Sequence, residues 1–133
     1  YEPETRRYAL PPEHAACLVP GAPLGNAAVY AQLPALIGSV QDRLLECFRT
    51  GEGTRYADYP CFHTFMAEDS EQTVVAGLFD SILPLAPDLT ARLEAGIDVM
   101  DAGCGSGGAL VALARRFPAS RFTGYDLCED AIA

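Results

Sequence analysis

Lysine is missing altogether: the nine basic residues are all arginine, set against eighteen acidic ones for a formal charge of -9. Such a field opposes the phosphate neutralisation on which nucleic-acid affinity mostly rests, so nucleic acid is not an expected partner. The same field mildly favours cationic small molecules. No run approaches the roughly 18 to 20 apolar residues of a membrane span, and no basic-then-apolar leader with a small-residue cleavage site is visible. A cytoplasmic protein without membrane association is therefore expected. The five cysteines, Cys17, Cys47, Cys61, Cys104 and Cys128, are odd in number and form no C-x-x-C pair. That disfavours both a disulfide framework and a zinc site, so reduced thiols and no metal are expected.

What is present is enough apolar material, 50% of 133 residues, for one packed unit. The chain opens on Tyr1 in what reads as mid-sheet sequence and stops at "CEDAIA", where a helix would begin. An internal piece of a longer protein is expected. The segment "EPETRRYAL" reads as a turn feeding the second strand of a hairpin that ends at Pro11 and Pro12. Residues 11–25, rich in proline and glycine, read as a linker with at most a short helix near His14 to Leu18. Asn26 caps a short helix to Leu33, and Pro34 suits the first turn of the next one.

Leu36, Ile37, Val40, Leu44 and Phe48 recur at spacings of three and four up to Gly51, which predicts one amphipathic helix with its stripe buried. The periodicity then disappears between Gly51 and Ala67, where Tyr56, Tyr59, Phe62 and Phe65 gather, and a loop is expected. Asp69 with Gln72 three residues later has the spacing of a capping box, opening a third helix that ends before Pro84. After it the period changes. "IDVMD" is a short β-branched run, "GGALVALARRF" has helical spacing and "RFTGYDL" is another short strand, so residues 97–127 fit a βαβ unit of about 30 residues with parallel strands.

Between the first strand and the helix stands "DAGCGSGG", with Gly103, Gly105, Gly107 and Gly108. Glycine lets the chain turn sharply and lets a ligand touch bare backbone, while the helix start aims free amides and a positive dipole end at the same place. The glycines fit both the dinucleotide pattern G-x-G-x-x-G and D-x-G-x-G-x-G. Asp126, 23 residues past Gly103, ends the second strand where either cofactor would offer ribose hydroxyls; it is also well placed to cap a helix beginning near Cys128. Asp101 separates the two patterns. A carboxylate there would oppose a dinucleotide's pyrophosphate at a cost of several kcal/mol, even at an effective dielectric of ~20, whereas a cofactor with an ammonium group would welcome it.

Residues 98–126 resemble the class I S-adenosylmethionine-dependent methyltransferases, "DAGCGSGG" as their first motif and "GYDL" as their second. The resemblance implies an α/β fold, the start of a doubly wound Rossmann-like sheet, with S-adenosyl-L-methionine as cofactor and a small molecule as methyl acceptor. By that likeness the backbone of Gly103, Cys104 and Gly105 holds the methionine portion and Asp101 orients its ammonium group. Asp126 then takes the ribose hydroxyls and Leu127 packs on adenine. Phe65, with Phe62 and Met66, is a candidate for the cofactor's open side, and His63 a candidate for a catalytic base.

The upstream region resembles a bacterial subgroup whose methyltransferase domain follows a winged-helix dimerisation domain. This implies the end of that domain and a linker at 1–25, a helical connector with an aromatic loop at 26–68, and the N-terminal part of the cofactor domain at 69–133. It also implies a homodimer for the full-length protein. Two other readings stay open at this point: a winged-helix regulator whose cofactor domain only senses ligand, and an NAD-dependent oxidoreductase.

Overall fold

The computed structural model describes residues 1–22 and 25–132. It is a mixed α/β arrangement with one two-stranded parallel sheet. The start of the chain makes a single antiparallel bridge, Glu2 to Arg7, rather than a hairpin strand. Helix α1, Pro12–Leu18, begins with proline in its first turn. A tight helical turn, Ala27–Gln32, follows, with the Asn26 side chain accepting from the Ala28 amide at 3.2 Å.

The single long helix expected from Pro34 onward is broken into α2, Leu33–Gly38, and α3, Gln41–Thr50. The break falls at Ser39 and Val40, directly after Gly38. The Ser39 hydroxyl turns back to donate to the Leu36 carbonyl at 2.7 Å, competing with helix propagation where glycine resists it least. Breaking the helix splits its apolar stripe. Leu36 and Val40 are buried, but Ile37 is 54% and Phe48 88% exposed, so the expectation of a wholly buried stripe fails in this chain.

The expected aromatic loop is also shorter than its composition suggested. Helix α4, Phe62–Ser70, already contains Phe62, His63 and Phe65, and it crosses the expected boundary between residues 68 and 69. The capping box does not form, because Asp69 lies inside the helix. Both side chains are used at long range instead: Asp69 accepts from the Tyr30 hydroxyl at 2.8 Å, and Gln72 accepts from the Asn26 amide at 2.7 Å. Two wide helical turns, Glu71–Val75 and Leu78–Ile82, and a tight one, Leu83–Leu85, lead to α5, Pro87–Ala95.

The βαβ unit comes next as β1, Asp98–Ala102; α6, Gly108–Arg116; and β2, Arg121–Tyr125. The strands pair in parallel, with Asp98 opposite Arg121 and Asp101 opposite Gly124. The chain closes with a short helix α7, Glu129–Ile132. Burial alternates along both strands. Val99 and Phe122 point to a cluster built on Leu83, Leu93 and Phe117, while Met100 and Tyr125, 68% and 61% exposed, face outward. Alternation of this kind belongs to a sheet covered on one face. A second cluster of Val29, Leu36 and Phe65, with Leu33, Tyr59 and Phe62 against it, ties the upstream helices to α4.

Candidate functional site

The loop after β1 is held by a small number of bonds. The amides of Gly103 and Cys104 both donate to the Tyr125 carbonyl, at 2.7 and 3.1 Å, and the Gly107 amide donates to the Cys104 carbonyl at 2.9 Å. Gly103, Gly105 and Gly107 all have left-handed φ, between 52° and 88°, a conformation that a side chain would strain at each turn. The loop thereby delivers the chain into α6 with the amides of the first helical turn lacking intrahelical acceptors.

Gly124 serves a different need. A Cβ there would meet the Cys104 Sγ at 2.6 Å and a Leu110 methyl at 2.7 Å, so the bare backbone of β2 is what lets the loop and α6 settle onto the strand. The Cys104 thiol is packing material beneath the loop, in van der Waals range of the sheet.

Asp126, just past β2, holds the loop from the other side. Its Oδ2 accepts from the Gly105 amide at 2.9 Å and its Oδ1 accepts from the Cys128 amide, also at 2.9 Å. The second bond is the helix-opening turn expected of an aspartate before α7, and the first joins the two glycine-motif strands across their tips. These amides, that of Cys128 foremost and then that of Gly105, with the neighbouring His63 contributing, hold the Asp126 carboxyl below its ordinary range. A carboxylate has about four acceptor positions, so each oxygen retains one for a further donor. The Cys128 thiol is pushed up by burial first, then by Asp126 and Asp130.

A cavity of about 240 Å³ opens at the loop. Asp101, Gly103, Cys104 and Gly105 line one side with the start of α6, and His63, Met66 and Ser70 of α4 line the other. Seven residues singled out in the sequence, Asp101, Gly103, Cys104, Gly105, Gly108, His63 and Met66, are thus gathered around one space. Asp126 braces it through Gly105. Phe65 is not among its lining: it is 6% exposed and packs with Val29 and Leu36, while its neighbour Met66 faces the cavity. Leu127 is 99% exposed beside Asp126, an open apolar face at the strand end. A larger hollow of about 690 Å³ is lined by Gly21, Ala22, Gly25 and Asn26 on one side and Glu71, Gln72, Val75 and Ala76 on the other, and among these described residues Glu71 is the one charged side chain. Chemistry, rather than size, selects the smaller cavity.

One grouping has no counterpart among the sequence motifs. His63, Cys128 and Asp130 place one nitrogen, one sulfur and one oxygen donor within 4.8 Å of one another. His63 Nε2 stands 3.5 Å from an Asp130 carboxylate oxygen. The only trace of it along the chain is the pair Cys128 and Asp130, whose spacing is not a recognised ligand signature; the histidine comes from a distant helix.

Compared with known proteins, the chain matches no family model and no curated protein.

Proposed function

We propose that this protein binds S-adenosyl-L-methionine and transfers its methyl group to a small-molecule acceptor, the βαβ unit being the start of a doubly wound Rossmann-like sheet. The observation that carries the reading is the convergence of Asp101, the Gly103 to Gly105 backbone and the α6 amides on one cavity, with Asp126 bracing the same loop from β2. A dinucleotide's pyrophosphate in that space would face the Asp101 carboxylate; an ammonium group there finds a counter-charge.

The cavity is smaller than the ~300 Å³ at which pockets for whole ligands begin. It suits the amino-acid half of the cofactor. The adenosine half then lies outside it, with the ribose diol on the free acceptor positions of Asp126 and adenine against Leu127. Phe65 has no part in this arrangement; Met66 forms the α4 wall.

The cofactor supplies an activated methyl group, so this chain's residues have to hold donor and acceptor in line and keep water out. Asp101 fixes one end through charge and Asp126 fixes the sugar. His63 and Met66 form the wall across which an acceptor approaches. The exposed apolar residues of α2 and α3, Ile37 and Phe48, fit the homodimer contact that the winged-helix subgroup implies.

Calorimetric titration with S-adenosylhomocysteine and, separately, with NAD tests the reading. One-to-one binding of the former and none of the latter is expected. Binding of NAD alone would replace this function with a dehydrogenase.

A further inference from the structure

The first turn of α4 and the turn that opens α7 meet at three side chains of different donor type, His63, Cys128 and Asp130. Zinc binds imidazole nitrogen and carboxylate oxygen at about 2.0 to 2.2 Å and thiolate sulfur at about 2.3 Å, which sets tetrahedral donor-to-donor edges at about 3.3 to 3.8 Å. The 3.5 Å between His63 Nε2 and the Asp130 oxygen already has that length. No separation in the trio exceeds 4.8 Å, so closing the rest takes at most about 1 to 1.5 Å. The Asp130 side chain is 76% exposed and has room to make that adjustment.

The surroundings favour a cation. The His63 ring packs beside the stacked pair of Tyr56 and Phe62, with centroids at 5.8 and 5.6 Å, which limits its rotation before any ligand arrives. Arg55, which shares the adjoining hollow with Cys128 and Asp130, is paired with Asp58 at 3.6 Å. Among the described residues, the only basic partner of Asp130 is His63 itself. One imidazole, one thiolate and one carboxylate select a borderline dication over magnesium or calcium, which take oxygen donors alone.

We propose that His63, Cys128 and Asp130 form a binding site for a zinc-class dication, with three protein donors and a fourth position open to water. Binding releases the Cys128 thiol proton to solvent. The ion would join α4 to the segment that leaves β2, fixing Cys128 and, through its amide, the carboxylate of Asp126. It would also claim the histidine nitrogen, which leaves His63 a positioning residue at the cavity wall rather than a base.

The test is a titration of the chelator-treated protein with cobalt(II) alone, followed by absorbance and with no cofactor present. A near-ultraviolet thiolate-to-cobalt band, intense visible bands of tetrahedral cobalt, a one-to-one endpoint and displacement by zinc(II) are expected. Cys128→Ser should abolish the thiolate band, and Cys17→Ser, in a distant helix, should leave it intact. Asp130→Asn, an exposed change that spares the fold, should weaken cobalt by at least the roughly 10- to 100-fold that even outer-shell changes produce. Octahedral cobalt spectra in the parent protein, a band that survives Cys128→Ser, or unchanged affinity in Asp130→Asn would each overturn the site. Because the titration contains no cofactor, its failure leaves S-adenosylhomocysteine binding untouched, and the reverse also holds.

Discussion

Replacing Gly124 by alanine adds one methyl group at the most crowded point of the βαβ unit. The new carbon would stand 2.6 Å from the Cys104 Sγ, 2.7 Å from a Leu110 methyl and 3.0 Å from the Cys104 Cβ. Comfortable contacts lie at about 3.5 to 4.0 Å, so a displacement of about 1 Å is required. The Leu110 methyl is the far end of a flexible chain and can rotate away. The Cys104 Cβ cannot, because it is anchored in a loop whose amides are bound to the Tyr125 carbonyl. Overpacking of this kind costs about 1 to 3 kcal/mol, and the entropy that alanine removes from the unfolded chain returns about 0.4 to 1. A net destabilisation of about 0.6 to 2 kcal/mol results, measurable as a lower urea midpoint at unchanged slope. The same displacement pulls the Gly105 amide from Asp126, so affinity for S-adenosylhomocysteine should fall in the folded variant. A double-mutant cycle with Cys104→Gly isolates the contact, and in that background the penalty should shrink below ~0.5 kcal/mol. If Gly124→Ala is neutral, or costs the same with and without the Cys104 side chain, the packing account of this glycine is wrong.

Leu93 is 2% exposed at the centre of the cluster under the sheet, and Leu93→Ala should destabilise by about 2 to 5 kcal/mol in equilibrium unfolding. Asp126→Ala should lose two loop bonds together with the proposed ribose contact, so calorimetry should show a drop in S-adenosylhomocysteine affinity of tenfold or more; Asp126→Asn should also bind more weakly, since an amide nitrogen cannot accept. The folded-state pKa of Asp126 lies below its unfolded value, so its contribution to stability is fully present above the ordinary carboxylate range and is lost as pH falls through the folded value. An acid titration should therefore show the parent losing stability in that low-pH window more steeply than Asp126→Asn. Asp98 and Arg121 make a two-bond pair at 2.8 Å across the strands, but both are exposed, so Arg121→Ala should change the unfolding midpoint far less than Leu93→Ala does.

The βαβ unit could be read from the chain because its signals are local. Apolar residues alternating at Ile97 and Val99 lead into β1, helical spacing makes α6, and glycines, which adopt left-handed φ without strain, make the turn between them. Asn26 and Asp126 cap the helical turns after them for the same reason, since a side chain reaching two residues ahead needs no tertiary partner. Distant packing decided the rest. Asp69 and Gln72 have the spacing of a cap but are drawn to Tyr30 and Asn26, because α4 begins a full turn and more before them and leaves their side chains free. Phe65 has the composition of a pocket wall, yet Val29 and Leu36 bury it, while the neighbouring Met66 reaches the cavity. The break at Ser39 and Val40 turned on one hydroxyl returning to a carbonyl, an event that periodicity does not register. The meeting of His63 with Cys128 and Asp130 required α4 and α7 to be folded against each other, and residues so far apart along a chain acquire a distance only when the core between them has formed.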